Sequence, residues 1–208
     1  MEISDLKIGI SSNLNFYKKT IPVCVGSIIK SGFNSSNIYV FIGGYDGEYE
    51  EIDVGFNVNA YKCPHNSFDF TSVVSIIDLN MTDNNWFILH DTVEVDHNFK
   101  DILGSELSET GKKINRFPSM SMGSYDSDSF SLAKEKINQI RNISKGDCVK
   151  MEDLFISHMP SICDGFTPMG LEDVYGNGTK RFIEYYRQAG IKKNKANNGT
   201  RSEWVTTL

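Results

Sequence analysis

The sequence predicts an α/β fold in which a mostly parallel sheet is flanked by helices. Short apolar runs alternate along the chain with segments whose apolar residues recur at helical spacing. Residues 86–89 are four large apolar residues in succession, which is typical of a strand that is covered on both faces. Residues 6–42 hold a strand, a helix and a second strand at a length that suits a right-handed parallel crossover.

The first strand–helix–strand unit is the clearest part of this pattern. Residues 6–12 alternate apolar and polar side chains and end in small polar residues, which predicts a strand that runs into a loop. Residues 17–30 have helical spacing, with Pro22 suited to the first turn and Gly32 suited to the position after the last. The apolar run at residues 37–42, closed by a pair of glycines, predicts a buried strand.

The other elements follow from apolar spacing and from the turn residues between them. They are a strand at residues 55–62, a helix at 69–79, a strand at 85–89, an amphipathic helix at 128–144 and a short helix at 151–159.

Composition and charge count against several classes of protein. The chain has 208 residues, of which 39% are apolar and 23% charged, so one domain with a sizeable core is expected. The formal charge of −6 argues against a general nucleic-acid binder. No apolar run reaches the roughly 18 residues of a membrane span, and residues 1–5 do not resemble a signal peptide. We therefore expect no membrane span and a cytoplasmic location.

The charge is distributed unevenly along the chain. Residues 176–201 carry seven basic side chains and one acidic one, a net charge of +6, so the rest of the chain carries −12. We therefore expect a domain at residues 1–175 and a basic C-terminal segment at residues 176–208 that packs over or near its cleft. Lysines in this segment could clamp a diphosphate, or they could form a solvated helix face.

Polar side chains follow two of the predicted strands. Ser11, Ser12 and Asn13 follow the first, where ligands bind in open α/β sheets, although they could equally form a capping loop. His90 and Asp91 end the strand at residues 85–89. A carboxylate there could hold a divalent cation, and the alternative is a polar turn capped by Asp91.

Three further acids stand at the starts of predicted helices. Asp69 could orient a ribose or a base, or it could cap the helix that follows. Glu152 and Asp153 could supply a general base near a sugar hydroxyl, or they could be ordinary partners of the helix dipole.

Taken together, these features resemble the GT-A glycosyltransferases over roughly residues 5–175. The segments that carry the resemblance are residues 8–12 for the first strand and nucleotide loop, 38–44 for the second strand, 86–95 for the strand that ends in the metal-binding DxD motif, 119–125 for the acceptor side, and 150–153 for the acidic helix start that supplies the base in inverting members.

The DxD motif is altered in this sequence. Its two acids fall on His90 and Thr92, and Asp91 in the middle is the carboxylate that is present. The resemblance implies a Rossmann-like GT-A fold and the transfer of a sugar from a nucleotide-sugar donor to a hydroxyl acceptor such as a glycan. It also implies a divalent cation, Mn²⁺ or Mg²⁺, held by Asp91 and His90.

The resemblance further implies a role for each candidate residue. Glu152 or Asp153 takes the proton of the acceptor. The residues expected to contact the nucleotide-sugar are Ser11, Ser12, Asn13, Asp69, Asp91, Lys192, Lys193 and Lys195.

Three other interpretations stay open. A GT-A-like module could bind a nucleotide-sugar or a glycan without catalysis, which the altered motif favours. A sugar nucleotidyltransferase would carry a loop rich in Gly and Arg after the first strand, and residues 11–15 contain neither. A basic-tailed nucleic-acid binder is opposed by the acidic remainder of the chain.

Overall fold

A computed structural model describes residues 2–110, 122–151, 167–173, 180–186 and 189–196. Its helices are α1 (Tyr17–Lys30), α2 (Thr71–Asp78), α3 (Phe99–Thr110), α4 (Ser127–Glu135), α5 (Ile137–Ile140) and α6 (Lys145–Met151). Its strands are β1 (Lys7–Asn13), β2 (Ile38–Gly43), β3 (Glu50–Glu51), β4 (Asn59–Cys63), β5 (Trp86–His90), β6 (Val93–Val95), β7 (Gly123–Tyr125), β8 (Thr167–Asp173), β9 (Lys180–Tyr186) and β10 (Ile191–Ala196). The described part contains no helix that is long and apolar enough to cross a membrane.

The larger sheet has six strands in the order β3-β4-β2-β1-β5-β7. Strands β4, β2, β1 and β5 are parallel, whereas β3 and β7 pair antiparallel at the two edges. The predicted parallel crossover from β1 to β2 through α1 is confirmed, as is the α/β class with a mostly parallel sheet.

Helices cover both faces of this sheet, because its parallel strands bury side chains on both sides. Ile8, Ile10, Phe87 and Leu89 belong to one apolar cluster with α1 residues such as Val25. Their strand neighbours Trp86 and Ile88 belong to a second cluster, with Val73 and Ile76 of α2 and Phe130 of α4. The alternation along β5 thus assigns odd-numbered residues to the α1 side and even-numbered residues to the α2 side.

The smaller sheet has the order β6-β10-β9-β8, and all of its strands are antiparallel. Strand β6 begins three residues after β5 ends. The described parts of the basic segment are therefore the strands β9 and β10, not a solvated helix face. Strand β9 also pairs with β8, which precedes the expected domain boundary at residue 175.

The range predicted for the first helix, residues 17–30, is correct, whereas the place predicted for its proline is wrong. The helix begins at Tyr17, so Pro22 lies in its interior and not in its first turn. Proline has no N–H, so the usual hydrogen bond to the carbonyl of residue 18 cannot form. A proline near a helix start does not fix the first residue of the helix, because residues before the proline can also be helical.

Two other boundaries differ from the prediction for reasons of backbone conformation. The strand predicted at residues 55–62 begins only at Asn59, since Gly55, Phe56 and Asn57 have φ values of 81°, 65° and 55°. Three successive residues with positive φ cannot continue a strand. The helix predicted at residues 128–144 is divided into α4 and α5 at Lys136, where the backbone leaves helical geometry with φ −106° and ψ 11°.

Two glycines should respond in opposite ways to alanine. A Cβ at Gly43 would lie 3.0 Å from the His65 carbonyl oxygen, whereas one at Gly26 of α1 would have no neighbour closer than 4.0 Å. We expect Gly43→Ala to lower the free energy of unfolding by about 1–3 kcal/mol through steric crowding. Gly26→Ala should raise it by about 0.5–1 kcal/mol because alanine loses less backbone entropy in a helix.

Urea denaturation of both variants measures this difference. Equal effects of the two substitutions would show that the close backbone approach at the end of β2 is absent in solution.

Candidate functional site

The candidate site lies at the carboxyl edge of the larger sheet, which we define by Asn13, Gly43, Cys63 and His90, the last residues of β1, β2, β4 and β5. The chain builds the sheet from β1 outward through β2 to β4, and then returns to place β5 on the other side of β1. Ligands of open α/β sheets bind beyond the carboxyl ends of the strands where the order reverses in this way. That point falls between the ends of β1 and β5.

A hydroxyl–carboxylate cluster, formed by Ser12, Thr20 and Asp91, occupies this point. Ser12 Oγ donates to Asp91 Oδ2 at 2.6 Å, and Thr20 Oγ1 is 2.7 Å from the same oxygen. The Asp91 N–H also donates to the Ser11 carbonyl oxygen at 3.1 Å. The cluster therefore joins β1, the first turns of α1 and the residue that follows β5.

Burial of Asp91 is the dominant electrostatic effect in the cluster. Desolvation raises the pKa of Asp91 from 3.8 to about 6, although the hydrogen bonds from Ser12 and Thr20 oppose the rise by favouring the ionised form. The negative charge of Asp69 adds to the increase. The two acids that the sequence assigned to this edge therefore act on each other.

An imidazole–ammonium pair, formed by His90 and Lys193, stands at the end of β5. The Nζ atom of Lys193 is 3.1 Å from His90 Nδ1, and the two residues are only 7% and 4% exposed. A lysine ammonium has only donors, so Nδ1 must be the acceptor. The ring proton of His90 is then on Nε2.

The position of Lys193 follows from strand pairing. Lys193 is opposite Val93 in the antiparallel pair of β10 and β6, so β10 runs alongside the chain immediately after Asp91. Asp96 strengthens this junction, because its Oδ1 atom is 3.4 Å from Lys192 Nζ and its Oδ2 atom accepts a hydrogen bond from Tyr185. Lys193 of the basic segment thus contacts His90, the last residue of β5, whereas Lys192 contacts Asp96.

Ser11 faces the opposite side of the sheet from Ser12. It accepts a hydrogen bond from the Ser72 N–H at 3.0 Å, and its hydroxyl lies 3.1 Å from the Asp69 carbonyl oxygen and 2.9 Å from Ser72 Oγ. Ser11 thereby holds the first turn of α2 against β1. Because Ser11 is also the register partner of His90, these two side chains lie on the same face of the sheet.

Asn13 links the end of β1 to the loop before α2. Its Nδ2 donates to Asn66 Oδ1 at 3.3 Å, and its Oδ1 accepts from the Asn15 N–H at 3.0 Å. The Asn66 N–H donates in turn to Asn142 Oδ1 at 2.8 Å. The loop that carries Asp69 is therefore fixed both to β1 and to the chain after α5.

A second hydrogen-bond network, centred on the buried His65, supports this loop. His65 Nδ1 is 3.0 Å from Ser67 Oγ, and His65 Nε2 is 3.0 Å from Tyr49 OH. Tyr49 donates to Asp78, which also receives a bidentate contact from Arg141. Desolvation, together with the positive charge of Arg141, lowers the pKa of His65 from 6.5 to about 4.

The structure describes only some of the remaining predicted residues. Glu152 and Asp153, expected as the base, lie outside the described residues. Lys195 is placed on β10 opposite Phe182 of β9. Sequence reasoning missed Thr20 and Asp96. The signal for Thr20 was its place near the start of α1, since the helix after β1 begins at the carboxyl edge.

The residues at the altered motif do not form an ordinary site for Mn²⁺ or Mg²⁺. Asp91 is the one carboxylate of the triplet, and its Oδ2 already accepts two hydroxyl hydrogen bonds. His90 Nδ1 is engaged by a cation. Among the described residues, no group of three or more His, Cys, Asp or Glu side chains could hold a metal ion. The expected divalent cation stays a prediction.

Comparison with known proteins returns no match of any kind: no family model, no curated protein and no solved structure is significantly similar to the chain. What the fold defines is an α/β protein with polar clusters at the ends of β1 and β5, where the strand order reverses.

Asp91→Asn should change how stability depends on pH. Between about pH 4 and 6 the folded protein holds the Asp91 proton more tightly than the unfolded chain does, so the wild type loses stability as pH rises through this window. The asparagine carbonyl can still accept from both hydroxyls. The free energy of unfolding of the variant, minus that of the wild type, should grow from pH 4 to pH 7 by at most about 3 kcal/mol.

Urea titrations at several pH values measure this difference. A difference that does not vary with pH would mean that Asp91 titrates as an ordinary surface carboxylate.

His65→Gln should show the opposite sign in the same range. The wild-type protein keeps His65 neutral down to about pH 4, whereas the unfolded chain protonates it below about 6.5, so the wild type loses stability as pH falls. The variant lacks this loss. The free energy of unfolding of the variant, minus that of the wild type, should therefore grow as pH falls from 7 to 4.5. An NMR titration that gave the His65 imidazole of the wild type a pKa near 6.5 would refute this prediction.

Proposed function

We propose that the chain is a glycosyltransferase that binds a nucleotide-sugar beyond the carboxyl edge and transfers the sugar to a hydroxyl acceptor. The observation that carries the proposal is that the hydroxyl–carboxylate cluster and the imidazole–ammonium pair both stand at the ends of β1 and β5, where the strand order reverses. This reversal is the standard place for nucleotide binding in open α/β sheets.

The charges at this edge suit a phosphorylated sugar donor. A diphosphate needs positive charge and hydrogen-bond donors, and Lys193 brings an ammonium to the end of β5. A sugar carries hydroxyls that a carboxylate can bind, and Asp91 directly follows His90, the partner of that ammonium, in sequence. Asn13, at the end of β1, and Asp69, on the loop before α2, are suited to contact the nucleoside.

The transfer step requires few protein groups. An acceptor oxygen forms a bond to the anomeric carbon while the bond from that carbon to the diphosphate oxygen breaks, through an oxocarbenium-like state. The electron pair of the broken bond stays on the diphosphate, where Lys193 would stabilise the growing negative charge. The acceptor proton goes to a carboxylate, for which Glu152 and Asp153 remain the candidates by resemblance.

A second candidate function is a GT-A-like module that binds a nucleotide-sugar or a glycan without catalysis. The observation in its favour is that Asp91 Oδ2 accepts two hydroxyl hydrogen bonds within the protein. A carboxylate held in this way can serve the fold alone. The two functions differ in whether nucleoside diphosphate is released from a bound donor.

Ligand binding should appear as a rise in melting temperature. UDP, GDP, CMP and dTDP are each added at millimolar concentration, with and without manganese, and at least one should raise the melting temperature by several degrees because it binds only the folded state. No response to any of the four would contradict the glycosyltransferase and the nucleotide-sugar-binding module, and would leave only a glycan-binding module.

Catalysis is tested by the release of nucleoside diphosphate from UDP- and GDP-sugars. Asp91→Asn should lower the rate at least about a hundredfold, since it removes a charge from the reacting region while keeping the shape of the side chain. Asp128→Asn, at an exposed position in the first turn of α4, is the matched control and should leave the rate unchanged. Binding with no release by the wild type would select the non-catalytic module.

A further inference from the structure

We infer that the Lys193 ammonium takes the place of a divalent cation at the carboxyl edge, so that the chain binds a nucleoside diphosphate without metal. The inference rests on the proposed function and specifies its chemistry. It concerns the source of the positive charge that the diphosphate requires, which the resemblance assigned to Mn²⁺ or Mg²⁺.

The first argument is position. His90 stands where the motif has its first acid, and the group that its Nδ1 atom contacts is the Lys193 ammonium, at 3.1 Å. A neutral imidazole is a good partner for an ammonium, whereas a carboxylate at the same place is a ligand for a hard divalent cation. The exchange of acid for histidine thus fits the exchange of metal ion for lysine.

The second argument is rigidity. Lys193 belongs to β10, whose ladder to β6 spans Ile191, Lys192 and Lys193. The junction is held further by the Asp96 N–H, which donates to the Gly190 carbonyl oxygen at 2.8 Å. A lysine on a paired strand is pre-organised, so little of its side-chain entropy remains to be lost when an anion binds.

The third argument is burial. Lys193 is only 7% exposed, so a phosphate oxygen in contact with it would be partly shielded from water. Charge-assisted hydrogen bonds are stronger in such surroundings than at an open surface. A divalent cation placed at His90 and Asp91 would meet repulsion from the same ammonium, so lysine and metal compete for one role.

His90 acts in this arrangement as a positioning residue. Its Nδ1 lone pair accepts one of the three N–H donors of Lys193 and orients the ammonium at the end of β5. The effect of His90 on ligand binding should therefore pass through Lys193.

Isothermal titration of the full chain with UDP, GDP and dTDP, in EDTA and in MnCl₂, tests the inference. The tightest of the three should bind the wild type with the same Kd in both buffers, within about twofold. Lys193→Met should weaken that binding at least about tenfold, because a charged hydrogen bond is lost. Lys193→Arg should retain most of the affinity in EDTA.

Lys100→Met is the matched control. Lys100 donates to the Gly32 carbonyl oxygen at 2.8 Å, at the end of α1 that is remote from the carboxyl edge. Lys100→Met makes the same change of charge as Lys193→Met and should alter the Kd by less than about twofold. Thermal melting of each variant establishes that it is folded at the temperature of the titration.

A measurement on the unaltered protein complements the variants. Bound Mn²⁺ loses its free-ion EPR signal, so an equimolar mixture of wild type and Mn²⁺ should give the signal of free Mn²⁺. Binding of the diphosphates only in MnCl₂, or a wild-type Kd for Lys193→Met, would overturn the inference and leave the proposed function in place. No binding of any diphosphate in either buffer would overturn both.

Discussion

The parallel pairing of β1 with a strand on each side is the constraint on which the candidate site depends. It sets the end of β1 against the end of β5, so that Ser12 and Asp91 meet across 79 positions of sequence. The pleat then directs Ser11 to the α2 side and Ser12 to the α1 side. Ser11 thus contacts helix α2, whereas the adjacent Ser12 contacts the Asp91 carboxylate.

Buried polar groups in this protein are held in connected sets, as low-dielectric surroundings require. The Asp78 carboxylate receives Arg141 and Tyr49, and Asp91 receives Ser12 and Thr20. In the described residues the one buried side-chain polar atom without a partner is Thr71 Oγ1. The loop that carries Asp69 is held by Ser11 of β1 and, through Ser67, by His65.

Strands β2 and β5 of the parallel core could be predicted from sequence because they are apolar on both faces and need no partner to be recognised. The run at residues 86–89 is the clearest case. Of the site, sequence could supply the polar residues that end strands, including Ser12 and Asp91. It could not supply Thr20 or the contact of Lys193 with His90, since hydroxyl direction and antiparallel register arise only from tertiary packing. The turn at residues 55–57 was also hidden, because Phe56 adopts a φ of 65° that large side chains rarely take.

The ammonium and imidazole that meet at the end of β5 are 103 positions apart in the chain. Closing so long a loop costs conformational entropy, and during synthesis the contact must wait until β10 has left the ribosome. The parallel sheet can assemble earlier, from residues that are already translated. A nascent chain can therefore form the parallel sheet before Lys193 is present to contact His90.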